Sequence, residues 1–322
     1  AQKIKNPAAM VTRAAKKQNV AFKIACTGTP VENSLADLWC LFDYVQPGLL
    51  GALNEFCDKY RRPIECKSDP EKERVEELRG IVEPQLLRRT KKDVAKDLPT
   101  KVIDDGAQKL PISPLQRKLY GEALELFKMR RDPARYTPFK SHLGLLHYLR
   151  LLCTDPRKYS ARFNKEKSAP TVEHRRNSPK LNWLLGTLER VREKKEKAIV
   201  FCEFRDMQQM LAHYIEETFH YKPDIIKGDD ETSMTHARSR QKRIKAFQEQ
   251  PGFGVIVLSP LAVGFGVNIQ AANHVIHFTR TWNPAKEDQA TDRAYRIGQT
   301  KTVYVYYPVV RAEEFKTFDV KL

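Results

Sequence analysis

The fold is decided by AIVFCEFRDMQQMLAHYIEETF, residues 198–219. Its first five residues, Ala198–Cys202, form an unbroken apolar run with Ile199 and Val200 at the centre. Such a run reads as a strand buried on both faces. From Asp206 to Phe219 the period changes. Met207, Met210, Leu211, Tyr214 and Ile215 fall on one stripe, so an amphipathic helix follows the strand. The alternation continues downstream. Asp224–Lys227 reads as a short strand and Thr235–Gln250 as a very basic helix that keeps Ile244 and Phe247 apolar. Strands Gly254–Ser259 and His274–Phe278, helix Pro284–Arg296 and strand Val303–Tyr307 come next. Strands alternating with helices of this length predict an α/β fold, a parallel sheet flanked by helices. Sheets of that kind place their chemistry in loops at the carboxyl ends of strands.

The front of the chain reads differently. Phe22–Cys26 is expected as a strand and is followed by the turn TGTP. Leu35, Leu38, Trp39, Phe42 and Val45 then lie at helical spacing. Residues 61–80 are charged and helical in pattern, 88–99 form a basic connector, and 111–153 are helical up to a break at Asp155-Pro156. Residues 157–180 are basic and weakly patterned, which predicts a mobile loop.

The chain has 322 residues, room for about two domains at ~150 residues each. Lys and Arg total 57 against 40 Asp and Glu, a formal charge of +17. A basic surface of that size favours a polyanion, with nucleic acid the leading candidate. An anionic membrane would want a basic amphipathic helix with a broad apolar face, and no such helix stands out. No apolar run approaches the ~20 residues of a membrane span. Cys26, Cys40, Cys57, Cys66, Cys153 and Cys202 are scattered without a C-x-x-C pair, which argues against structural zinc and suits a reducing compartment.

Three segments could carry chemistry. In NPAKEDQATDRAYRIGQ, Asn283–Gln299, Asn283 can cap a helix with Pro284 at its first position. Gln289, Arg293 and Arg296 then share a helical face. Two guanidiniums with an amide beside them suit phosphate, which arginine binds bidentately. The competing reading is a solvated face salt-bridged through Glu287 and Asp292. In SPLAVGFGVN, Ser259–Asn268, Gly264 and Gly266 follow a buried strand and would let backbone approach a ligand. By themselves these residues favour an ordinary βα turn. Thr27, Gly28, Thr29 and Pro30 offer hydroxyls and a glycine at a strand end, residue types that also make a plain turn. G-x-x-x-x-G-K-[ST] is absent, so these residues contain no phosphate-cradling P-loop. His142 and His147 are five apart, not the four that would align metal ligands on a helix.

These residues together resemble the C-terminal part of the Swi/Snf-type ATP-dependent DNA translocases, a branch of the superfamily-two helicase-like motors. TGTPVENSLADLWCLFDYVQPGLLG (Thr27–Gly51) is similar to their motif III, and LRRTKKDVAKDLPTK (Leu87–Lys101) to the linker between their lobes. AIVFCEF (Ala198–Phe204) resembles motif IV, and RQKRIKAF (Arg240–Phe247) the helix after it. SPLAVGFGVNIQAANHVI (Ser259–Ile276) resembles motif V. WNPAKEDQATDRAYRIGQ (Trp282–Gln299) resembles motif VI and is the most specific match. Motif IV often has a hydroxyl residue where Cys202 stands. The wording of motifs V and VI is similar to bacterial members, some of which serve phage-defence systems such as Zorya.

The resemblance implies two RecA-like lobes with ATP and Mg bound mainly by lobe one. Ala1-Gln2 resemble the end of that lobe's acidic box, so its Walker loop and acidic pair would precede this sequence. It further implies an end of lobe one with helical extension at 1–86, an inter-lobe linker and helical insertion at 87–180, and the RecA-like C-terminal lobe at 181–322. By the family pattern Arg293 and Arg296 are arginine fingers with Gln289 beside them. Gly264, Gly266 and Asn268 contact nucleotide, and Thr27, Gly28, Thr29 and Pro30 couple the sites. The partners implied are double-stranded DNA and lobe one of the same parent chain, in a bacterial cytoplasm, or in a nucleus if the source is eukaryotic. The fragment alone is expected to be inactive as an ATPase. The alternative is a non-catalytic DNA-binding or docking module. An RNA helicase of the same superfamily is disfavoured by DRAYRIGQ and the helical insertions.

Overall fold

The computed structural model describes residues 1–89, 91–95, 97–131, 139, 141–156, 172–227, 239–260 and 268–321. The chain divides into two compact units, Ala1–Lys96 and Asp97–Leu322.

Among its described residues the larger unit has eight strands: β1 (Lys101–Asp104), β2 (Leu110–Pro111), β3 (Lys197–Phe201), β4 (Asp224–Ile226), β5 (Gly254–Leu258), β6 (His274–His277), β7 (Val303–Tyr306) and β8 (Val310–Arg311). Six form one sheet in the order β1-β7-β6-β3-β5-β4, every neighbouring pair parallel. β2 and β8 make a separate parallel pair. Ile199 on central β3 sits between Ile256 and Val275 in register. Because side chains alternate along a strand, β3 serves two cores at once. Ala198 and Val200 face one core with Met207, Met210, Leu211, Tyr214 and Ile215 of helix Arg205–Phe219 and the leucines of helix Pro179–Glu193. Ile199 and Phe201 face the other, with Ile244, Phe247 and Ala290. The parallel sheet covered on both faces is therefore as the apolar runs predict, and the strands that were read downstream of residue 197 agree to within one residue at each end.

Three local expectations are corrected. Strand β1 lies in a segment read as linker. Its first three residues are exposed at the sheet edge, so it carries no apolar run to announce it. Residues 172–177 of the segment read as a mobile loop are helical, while 157–171 lie outside the described residues. The basic helix read from Thr235 is observed as Arg240–Glu249, with 235–238 again outside the described residues.

The helical stretch at 111–153 resolves into Pro114–Lys128 and His142–Thr154. The first is opened by a capping box in which Ser113 and Gln116 satisfy each other's backbone. Tyr120, Ala123, Leu145, Leu149 and Leu152 pack together there with Phe318 near the C-terminus. Beneath that cluster Lys180 and Asp319, both almost fully buried, pair at 2.7 Å.

The smaller unit is helical. Leu35–Val45 starts at its Ser34 cap and packs Leu38, Trp39 and Phe42 against Phe56, Tyr60 and Leu78. Phe22–Cys26 is not a strand, and this unit has none among its described residues. A strand exists only through pairing. The run has no regular secondary structure, with Phe22 78% and Ile24 67% exposed.

Candidate functional site

Motif-like segment 283–299 follows β6 and lies on the face of the sheet that carries Ile199 and Phe201. Asn283 caps its helix, the side chain accepting from the Ala285 amide at 3.0 Å, with Pro284 at the first position. Glu287 is buried rather than solvated. It accepts from Arg280 Nε at 2.9 Å and from the Thr281 amide at 2.8 Å. Glu287 is therefore spoken for by Arg280, which removes one half of the salt-bridged-face alternative.

The helix ends at Thr291, not at Arg296. His277 on β6 meets the last residue of this helix. Its Nε2 meets Thr291 Oγ1 at 2.8 Å, and its ring stacks on Tyr307 at 4.9 Å. Burial, with Arg280 nearby, drives the imidazole down to about 3, so it stays neutral. Gln289 remains on the helix, whereas Arg293 and Arg296 lie in the turns beyond it. A single continuous helix therefore does not carry all three.

Another set of contacts holds the arginines. Arg293 is half-buried, and its carbonyl accepts from the Ile269 amide at 2.9 Å. Burial, and then the like charge of Arg296, lower its guanidinium from the ordinary value, with Asp292 opposing. Arg296 is exposed, and its Nη1 donates to Asn268 Oδ1 at 2.5 Å. Two guanidiniums close enough to feel each other, one tethered to an amide oxygen, suit an anion. Gly264 and Gly266 lie outside the described residues.

Sequence reasoning missed the two glutamines that shape this turn. Gln270 Nε2 donates to the Ile297 carbonyl at 2.5 Å, and the buried Gln299 side chain bonds on both sides of its amide. Gly298 between them has φ +98, and a Cβ there would stand 3.1 Å from Gln270 Nε2. The neighbouring Gly was the one legible sign of a tight turn. Gly298→Ala is expected to cost about 1–3 kcal/mol through the left-handed backbone and the clash. Urea denaturation checks this, and a loss below a few tenths of a kcal/mol would contradict it.

In the smaller unit, Thr27 Oγ1 and Thr29 close a local turn at 3.2 Å. The buried Lys5 ties that turn down, donating to the Thr29 carbonyl at 2.5 Å and pairing with Glu32 at 3.2 Å. Gly28 has open space around it and Pro30 completes the bend.

Residues 1–158 match the SNF2-related domain, and residues 179–298 the helicase conserved C-terminal domain. The chain belongs to the Swi/Snf-type, helicase-like family. In sequence it is Zorya-like, 53% identical over 325 residues to the Zorya protein ZorD of Escherichia coli O139:H28, an alignment covering 100% of this chain and 29% of ZorD. It is 37% identical over 314 residues to an "Uncharacterized ATP-dependent helicase" of Mycoplasma pneumoniae, covering 95% of this chain and 27% of that protein. The chain thus spans less than a third of either relative. Among solved structures, the C-terminal part of the Fun30 ATPase domain matches with a TM-score of 0.50 over 65% of this chain and 84% of that one. At 22% identity that likeness concerns the RecA-like fold alone.

ATP and magnesium, which the family implies, can be tested against these residues. No group of three or more His, Cys, Asp or Glu able to hold a metal occurs among the described residues. The Arg293–Arg296 turn does fit a phosphate. No described helix is long and apolar enough to cross a membrane.

Proposed function

We propose that this chain is the arginine-bearing part of an ATP-driven motor that moves along double-stranded DNA. The observation that carries the reading is the Arg293–Arg296 turn, with Arg296 bonded to Asn268. Phosphoryl transfer spreads negative charge over the transferring group, and paired guanidiniums stabilise such charge. Arg293 and Arg296 serve as the fingers, with Gln289 beside them on the preceding helix. Asn268, with Gly264 and Gly266, belongs to the nucleotide-side loop. Thr27, Gly28, Thr29 and Pro30 couple nucleotide to chain movement. The nucleotide's phosphates and magnesium are held mainly by a lobe one that carries a Walker loop.

The formal charge of +17 supplies a sequence-independent grip on DNA phosphates. Residues 1–86 act as the end of lobe one, 87–180 as linker and insertion, and 181–322 as the C-terminal lobe. The described cysteines are all free thiols, which suits a bacterial cytoplasm where such DNA resides.

The test is ATP hydrolysis by the longest natural polypeptide containing this sequence, with and without duplex DNA. DNA-stimulated turnover is expected there, and negligible turnover from these 322 residues alone, which lack the P-loop pattern. Equal, negligible rates from the long protein would sink the motor reading. DNA binding without hydrolysis would favour a docking module instead.

A further inference from the structure

Since the helix stops at Thr291, something other than helical geometry must set where Arg296 stands. One side chain meets that need. Gln299 is 5% exposed, and its Nε2 shares its protons among three carbonyls: Gln270 at 2.9 Å, Ala272 at 3.1 Å and Ala294 at 3.2 Å. Its Oε1 accepts from the Thr300 and Lys301 amides, each at 3.0 Å. Its own amide donates to the Arg296 carbonyl at 2.9 Å. All of this buried amide's hydrogen-bonding capacity is used in one place.

The geometry of these bonds is specific. The contact to Ala294 closes the turn 294–299 around Arg296. The contacts to Gln270 and Ala272 fasten that turn to the segment beginning at Asn268, which holds the Arg296 guanidinium. The same amide therefore sets both the backbone origin of Arg296 and the place of its side-chain partner. Gln270 returns a second strut to the Ile297 carbonyl.

We propose that Gln299 is a positioning residue for the proposed arginine finger. It fixes the Arg296 turn against segment 268–272 so that the guanidinium is presented ready-made to the transferring phosphate. The proposal rests on the motor reading above, and it concerns placement rather than contact with substrate.

The experiment is a double-mutant cycle in the longest natural polypeptide containing this sequence. Misplacement by about 1 Å can cost ~100-fold, so Gln299→Leu should lower DNA-stimulated kcat by roughly 10- to 100-fold. KM for ATP should stay within about threefold, since ground-state binding is not the function served. In an Arg296→Ala background, Gln299→Leu should change kcat by less than about twofold, because residues acting as a unit are not additive. Multiplicative losses, or a defect mainly in KM, would overturn the proposal.

Amide hydrogen exchange adds a reading independent of turnover. Ile269, Thr300 and Lys301 should exchange faster in Gln299→Leu while β3 and β5 keep their protection. Loss of protection throughout would make the amide a general support of the fold and end the proposal. Gln270→Ala removes only the strut to Ile297 and should lose kcat by a few-fold with the same non-additivity; an unchanged kcat there also counts against it. If Arg296→Ala has no effect, the motor reading fails and this inference with it. If Arg296→Ala is crippled while Gln299→Leu keeps wild-type kcat, this inference alone fails.

Discussion

Replacing Arg296 with alanine in the full-length protein is expected to lower DNA-stimulated ATP turnover by roughly 10³-fold or more. The size follows from the role proposed for it as an arginine finger. A guanidinium that meets charge developing on a transferring phosphoryl group acts where water is excluded, and its removal leaves that charge uncompensated. Arg296→Lys should recover little, because a point-charge ammonium cannot reproduce the planar two-donor fork. Protein stability should change little, since Arg296 is exposed and its guanidinium donates to the exposed Asn268. Steady-state ATPase assays with saturating duplex DNA, alongside thermal melts, check both halves. A loss of only a few-fold would return Arg296 to the status of a solvated surface residue.

The second large effect is on folding. Lys180→Met is expected to destabilise the larger unit by about 3–5 kcal/mol, because it strands the Asp319 carboxylate in the interior. Lys180 is 0% and Asp319 2% exposed, and they pair at 2.7 Å. What would remain on Asp319 is the Val310 amide at 3.0 Å, one donor for a buried anion. Burial at this spot is deep enough that the neighbouring Cys153 thiol is pushed up to about 12. The pair joins the start of helix Pro179–Glu193 to the last helix of the chain, Phe318–Lys321. Replacing both partners with apolar residues of similar volume should recover most of the loss. Urea titrations of the single and double variants measure it, and a single-variant cost below about 1 kcal/mol would rule the argument out.

The strands of the sheet were legible because their environment is uniform. β3, β5 and β6 are buried along their whole length, and their centres, Ala198–Phe201, Val255–Leu258 and Val275-Ile276, are apolar. Edge strand β1 had no such pressure and left no mark. Phe22–Cys26 carries the composition of a strand, yet composition does not supply a neighbour. At the site, Asn283, Pro284 and the arginines were readable from residue type and spacing, but the helix was read as continuing to Arg296. Nothing local ends it at Thr291. Its last residue is held by His277 from the sheet, and the segment beyond is fastened by Gln270 and Gln299, contacts made across 14 to 29 residues of chain. Lys180 was equally opaque. It closes the basic segment 157–180 that was read as a mobile loop, and only the distant Asp319 makes it internal.

The irregular run at Phe22–Cys26 bears on how the isolated polypeptide behaves in a tube. Its Phe22 ring and Ile24 side chain face outward beside peptide groups that no ladder among the described residues occupies. Such a bare flank is a template on which further copies can stack. Purified by itself, the 322-residue piece should shed material into sediment as concentration rises. Charge introduced at Phe22 or Ile24 would be the simplest way to keep it dispersed.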